Sequence, residues 1–365
     1  MRLAADEDHA FAAFGLAGEP GGDEFWAAAR TPVSVRADDG GWLTLFLWRG
    51  SPASVVFESW SAPVPLRRWR ESDCWYAEVP MPARLRVTYQ LLVGEDSYAD
   101  PLNPVGAGGD RSLAATPDCP PQPHWPAVGP DAVLPLPRTR FRWSGERLGG
   151  RRTVRVHPVG GGGPVVLLLD GDDWLYLHPA TDAFDSAVAA GGMPPVTLVF
   201  LPAKDREAEF ACRPDLWEAV RDELLPLVAE TGVPADTDRL VVAGQSLGGL
   251  SAMYAALEFP DLVSRVACQS GSFWWTPEAM TLADPLGGRL GGTVAERLRK
   301  RPDLSGLRCA FDVGEHETAM LPHCELTETL AEEAGATVRV SRSPSGHDRA
   351  GWRHALVRDV AWALG

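Results

Sequence analysis

Long apolar runs are missing from this sequence: stretches such as 165–169 reach only a handful of residues, whereas a membrane-spanning helix needs about 20. Nothing in it is expected to cross a bilayer. Positive charge is also short, with 34 Lys and Arg against 49 Asp and Glu and a formal net charge of −15. Nucleic acid and anionic membrane surfaces need basic patches, so neither is expected as a partner. Lysine is nearly absent, represented only by Lys204 and Lys300, which we read as a coding bias. The six cysteines (Cys74, Cys119, Cys212, Cys268, Cys309, Cys324) contain no C-x-x-C pair, which argues against a zinc ribbon or a redox dithiol and for reduced, structural thiols. A secretory leader is not indicated either, because Asp6, Glu7 and Asp8 stand where its apolar core would be; a cytoplasmic location is expected.

What is present is an ordinary soluble composition, 45% hydrophobic and 23% charged over 365 residues, a length that favours two domains. Residues 1–116 carry short alternating runs at 42–48, 54–57, 74–79 and 85–92, rich in β-branched and aromatic side chains. That patterning predicts an all-β, immunoglobulin-like sandwich. Eight prolines fall between Pro117 and Pro137, enough to stiffen 117–137 into an extended linker. From 138 to 365 the pattern becomes apolar strands at 164–170, 195–201, 239–243, 263–270, 307–314 and 336–342. Helices are expected between or after them at 214–231, 247–259, 323–334 and 350–363. This alternation predicts an α/β fold with a doubly wound, mostly parallel sheet, whose chemistry belongs at the carboxyl ends of the strands.

Gly244-Gln245-Ser246-Leu247-Gly248 fits G-x-S-x-G, with a strand running in and a helix running out. That context marks Ser246 as a nucleophile on a sharp strand-to-helix turn. A serine hydroxyl needs a base whose orientation is fixed. Of the histidines after Ser246, only His347 sits in a loop after the last strand, within Ser345-Gly346-His347-Asp348. The acid should follow strand 307–314; Glu315 and Glu317 are both candidates, with Asp348 as a third that better suits a helix cap. An oxyanion needs aimed donors. The amide of Leu247 is one, and Gly171 or Asp172, after strand 164–170, supplies the other. Asp172 and Asp173 lack further ligands at a suitable spacing, so no metal site and no cofactor is expected.

Several runs together resemble the enterochelin (enterobactin) esterases: Leu168-Leu169-Asp170-Gly171-x-x-Trp174, Asp222-Glu223-Leu224-Leu225-Pro226, Gly244-Gln245-Ser246-Leu247-Gly248-Gly249, Gln269-Ser270-Gly271-Ser272-Phe273-Trp274-Trp275 and Gly346-His347-Asp348. In the first domain Ala99-Asp100-Pro101-Leu102-Asn103-Pro104 matches a run of the two-domain members. The resemblance implies an α/β-hydrolase that opens the triester ring of a catecholate siderophore, a small molecule whose iron is cargo and not a cofactor. It carries over Ser246 and His347 and places the family's acid on Glu317. It puts Arg206 and Trp275 on the substrate cleft, with Trp174 and Arg213 beside them; Arg213 replaces the family's usual asparagine. A carbohydrate-linked feruloyl or acetyl esterase and a non-catalytic siderophore-binding protein are the competing readings. The acidic charge opposes an anionic iron tricatecholate, which suggests a trilactone spacer that carries cations.

Overall fold

The computed structural model describes residues 11–58, 62–129, 133–279, 286–300 and 303–365. Asp6, Glu7 and Asp8, and residues 130–132 of the proline-rich segment, lie outside them. Two compact units are present. One comprises Met1–Pro121, Ala127–Val133 and Pro344–Ala350; the other comprises Gln122–Pro126, Leu134–Ser343 and Gly351–Gly365. The proline-rich segment is thus divided between the units.

The first unit is a two-sheet β-structure. A short helix α1 (Asp23–Ala28) precedes strands β1 (Val33–Arg36), β2 (Trp42–Arg49), β3 (Ser54–Phe57), β4 (Val64–Pro65), β5 (Arg67–Arg68), β6 (Cys74–Met81), β7 (Arg86–Val93), β8 (Asp96–Tyr98), β9 (Gly106–Gly108) and β10 (Arg111–Ala115). One sheet has the order β1-β2-β6-β5; the other runs β4-β3-β7-β10-β9, with β8 also paired to β7. Because side chains alternate along a strand, Phe46 of β2 joins Val55, Phe57, Val79, Val87 and Tyr89 in one core. Its neighbours Leu45 and Leu47 pack in a second core with Phe11, Phe14, Phe25 and Trp26. β2 is therefore apolar on both faces. Asp100 and Asn103 of the Asp100–Pro104 run are buried polar residues. Asp100 accepts from Thr31 Oγ1 at 3.0 Å and Tyr89 Oη at 2.7 Å, and the Asn103 side chain donates to Tyr89 Oη and Leu113 O. Its polar side chains satisfy buried partners, which gives the run a structural role.

The second unit is an eight-stranded sheet flanked by helices. Strands β11 (Thr139–Trp143), β12 (Arg152–Val159) and β13 (Gly163–Leu169) lead to helices α2 (Gly171–Tyr176) and α3 (Ala180–Ala189), then to β14 (Val196–Leu201). Helices α4 (Arg206–Phe210), α5 (Pro214–Ala219) and α6 (Leu225–Glu230) follow, with a π-helical turn at Val220–Leu224 between the last two. Next come β15 (Ala235–Gln245), α7 (Leu247–Glu258), β16 (Arg265–Gln269), α8 (Thr293–Arg299), β17 (Arg308–Gly314), α9 (Leu321–Glu333) and β18 (Thr337–Ser343). The terminal helix α10 (Arg349–Leu364) begins at the boundary between the units. The sheet order is β11-β12-β14-β13-β15-β16-β17-β18. Pairing is parallel from β14 to β18, while β11 and β12 add antiparallel. Val165, Leu167 and Leu169 face one core, whereas Val166 and Leu168 face the other, as a strand covered on both sides requires. The order reverses between β13 and β15, where the carboxyl ends of an open sheet leave a crevice.

Candidate active site

Ser246 links β15 to α7 with φ 56° and ψ −119°, a region that costs a non-glycine residue on the order of 1–3 kcal/mol. The flanking glycines allow the turn. A Cβ on Gly244 would stand 2.2 Å from Gly248 O, and one on Gly249 would stand 3.0 Å from Gly271 Cα. Ser246 N donates to Gln269 O at 3.0 Å, and Ser246 O accepts from Ser272 N at 3.0 Å. The half-buried hydroxyl therefore stands at a fixed point, with Ser272 Oγ 3.2 Å away. Beneath it the buried amides of Gln245 and Gln269 are joined at 2.7 Å. Trp174 Nε1 donates to Gln245 Oε1, and Gln269 Nε2 donates to Trp352 O.

The neighbouring strand ends repeat the strained turn. Asp170 after β13 has φ 54°, and Ser270 after β16 has φ 45°. Gly171 has no room for a side chain, because a Cβ would lie 2.5 Å from Leu201 N. As the first residues of α7 and α2, Leu247, Gly171 and Asp172 carry amides that their helices leave without an i−4 carbonyl. Arg206 connects the two turns. Its Nε and Nη2 donate to both Asp170 oxygens at 2.8 and 2.9 Å, and Nη2 also reaches Gln245 O at 2.9 Å. Burial raises the Asp172 carboxyl above its ordinary value, with Lys204 opposing the shift.

After β17, Glu317 is buried. Its Oε1 accepts from Ser270 Oγ at 2.5 Å and from Gly314 N at 2.8 Å, and Ser270 Oγ also accepts from Trp352 Nε1 at 2.8 Å. Glu315 is half-exposed. Thus the structure brings Ser246, Leu247, Gly171, Asp172, Arg206 and Glu317 to the carboxyl ends of β13, β15, β16 and β17. His347 lies half-buried in the Pro344–Ala350 segment, which belongs to the first unit. Asp348 is fully buried beside it and accepts from Ala350 N at 2.7 Å, the N-cap bond of α10.

Three expected substrate contacts are engaged within the protein. Trp174 and Trp275 are 2% and 7% exposed and belong to the two hydrophobic cores flanking the sheet. Large apolar rings lower the free energy most when removed from water, and neither offers an open face. Arg213 is exposed and paired with Asp215 at 3.3 Å. Arg206, expected to touch substrate, spends three hydrogen bonds on the protein itself. Ser270 and Ser272 had no role assigned from sequence alone, yet both reach the machinery. Their signal was position, immediately after a parallel strand. Among the described residues no group of three or more His, Cys, Asp or Glu is arranged to hold a metal, and no helix is long and apolar enough to cross a membrane.

Comparison with known proteins agrees with this architecture. Residues 145–363 match the model of the Esterase family, described as putative esterase. The iron(III) enterobactin esterase of Escherichia coli O6:H1 is 31% identical over 86% of this chain and 76% of its own length, and that of Dickeya dadantii is 28% identical over 99% and 98%. The crystal structure of the enterobactin esterase FES from Shigella flexneri in the presence of enterobactin superposes with a TM-score of 0.82 at 26% identity, covering 95% of this chain and 99% of that one. With the α/β-hydrolase sheet, the elbow and near full-length similarity all in agreement, the chain belongs to the iron(III) enterobactin esterase family.

Proposed function

We propose that this chain is a serine hydrolase that cleaves the ester bonds of a cyclic tricatecholate trilactone siderophore, taken in its ferric form, in the cytoplasm and without a cofactor of its own. The observation that carries the chemistry is Ser246, held at positive φ between Gly244 and Gly248 with the Leu247 and Gly171 or Asp172 amides opening onto the same strand ends. The substrate class comes from the enterobactin and salmochelin esterases among its relatives.

In this reading Ser246 Oγ adds to an ester carbonyl carbon while its proton passes to His347. The carbonyl oxygen becomes an oxyanion, stabilised by the amides of Leu247 and of Gly171 or Asp172. Collapse restores the carbonyl and breaks the bond to the alkoxy oxygen, which takes the proton from His347 and leaves as a hydroxyl of the opened ring. Water then adds to the acyl-serine with His347 again accepting a proton, and Ser246 leaves with that proton returned. Glu317 is the acid that supports the imidazolium. Mass-resolved chromatography of ferric and iron-free cyclic trilactones incubated with the protein tests this. Linear trimer, dimer or monomer should form with the wild type and not with Ser246→Ala. Intact rings in both would move the activity to another ester.

A further inference from the structure

Strand β7 pairs with β3 from Ser54↔Leu92 to Phe57↔Tyr89, and one more rung follows, Glu58 N to Thr88 O at 3.0 Å. A continued antiparallel ladder would next use the amides of Thr88 and Arg86, which project from the same edge. Both donate to the 344–350 segment instead. Arg86 N reaches Pro344 O at 2.7 Å, and Thr88 N reaches Asp348 Oδ2 at 2.7 Å. Thr88 Oγ1 adds a bond to Asp348 Oδ1 at 2.8 Å. The edge of the β-structure is therefore covered by the turn that carries His347, in the manner by which sheet edges capture extended chain.

The attachment is specific. Thr88 and Asp348 are 3% and 0% exposed, and a buried carboxylate that accepts three hydrogen bonds (Thr88 N, Thr88 Oγ1, Ala350 N) has one favoured orientation. Arg349 on the other side of Asp348 pairs with Glu58 Oε1 at 2.8 Å. His347 is thus adjacent in sequence to a side chain locked to β7 and three residues beyond a main-chain rung to the same strand. The residues proposed for the chemistry all lie from 170 onward, and the first 116 residues have no task in it. These contacts supply one.

We propose that Thr88 is a positioning residue for the reaction: through Asp348 it sets the conformation of the Ser345–Asp348 turn and hence the aim of His347. This rests on the assignment of His347 as the base. Displacing a catalytic group by a fraction of an ångström slows chemistry while leaving ground-state binding in place.

The test compares Thr88→Val, which keeps the shape and removes the hydroxyl donor, Thr88→Ser, which keeps the donor, and Asp348→Asn. Ser246→Ala and His347→Ala are run alongside. Each is assayed with ferric trilactone and with a small aryl ester, at a temperature where its melting curve shows it folded. Thr88→Val and Asp348→Asn are expected to lower kcat about 10-fold or more on both substrates with KM within about twofold, and Thr88→Ser to restore kcat. The rate at which a fluorophosphonate labels Ser246 should fall in parallel. The positioning role is overturned if Thr88→Val and Asp348→Asn keep wild-type kcat, or if Thr88→Ser is as slow as Thr88→Val, while the Ser246 and His347 variants are inactive. Turnover surviving in His347→Ala would overturn the base assignment itself.

Discussion

Three residues that are not glycine hold positive φ at the ends of three adjacent strands: Asp170 after β13, Ser246 after β15 and Ser270 after β16. Strain of this kind persists only where surrounding contacts over-determine it, and here each residue is bonded to another side chain of the candidate site. Ser270 is the least obvious, since its hydroxyl holds Glu317 while accepting from Trp352. That contact separates the two glutamates that sequence spacing left equivalent. We expect Glu317→Gln to lower kcat about 10- to 100-fold and Glu315→Gln to leave it within about twofold, as steady-state kinetics on one trilactone would reveal. A second residue-scale prediction concerns stability. Asp359 is fully buried, and burial pushes its carboxyl up to about 7, with Arg358 and Arg339 opposing and Asp312 reinforcing the shift. Its protonated form is favoured in the fold relative to an ordinary value of 3.8. Its stabilisation is therefore complete below about pH 4 and lost as pH rises through about 7, a change of a few kcal/mol. Denaturant melts of Asp359→Asn between pH 5 and 8 should show a flatter pH dependence than wild type.

At the scale of elements, α4 is only five residues long, too short to be stable alone, and is anchored by charge. Glu209 forms a bidentate pair with the buried Arg152 of β12 and accepts from the amides of Lys204 and Asp205. Arg206, from the same helix, binds the ends of β13 and β15. The Arg-x-x-Glu spacing thus joins one short helix to three strands. If Arg206 aligns the two oxyanion turns, Arg206→Lys and Asp170→Asn should each reduce kcat about 10-fold with KM little changed, since removing an oxyanion donor outright costs about 100- to 1000-fold. A rise in KM at constant kcat would instead make Arg206 a substrate contact. The major parallel strands were legible because continuous apolar runs bounded by turn residues leave few alternatives. The antiparallel β11 and β12 were not. Their arginines, Arg140, Arg142, Arg152 and Arg155, interrupt the apolar pattern, and the charge of Arg152 is balanced in the interior by Glu209, 57 residues away. Helix α8 (Thr293–Arg299) was missed for a related reason, being too short for a clear period.

For the molecule as a whole, the formal charge of −15 bears on encounter with substrate more than on the fold. A like-charged field slows the approach of an anionic iron tricatecholate, and salt screens it over about 10 Å at 0.1 M. We therefore expect kcat/KM for a ferric trilactone with a neutral spacer to rise with ionic strength. A spacer carrying Lys- or Arg-like cations should be processed faster than the neutral one at low salt. Stopped-flow or initial-rate measurements across a salt series distinguish these; a flat profile for both would show that the local environment of the site overrides the net charge.

The amino-acid sequence alone determined the class of fold and singled out the elbow serine, the amide that follows it and the loop histidine as candidates, because each depends on local pattern: glycines two residues either side of a serine, a strand before it and a helix after. It also carried the family resemblance that the full-length relatives bear out. Only tertiary structure decided which glutamate is buried against Ser270, that Arg206 is committed to Asp170, and that Trp174 and Trp275 lie in cores and not on an open wall. The same holds for the segment around His347, which packs with a strand more than 250 residues earlier through Thr88 and Asp348. These outcomes depend on partners far apart in the chain. Burial, hydrogen-bond satisfaction and charge pairing select such partners in the tertiary structure, where residues far apart in the chain meet.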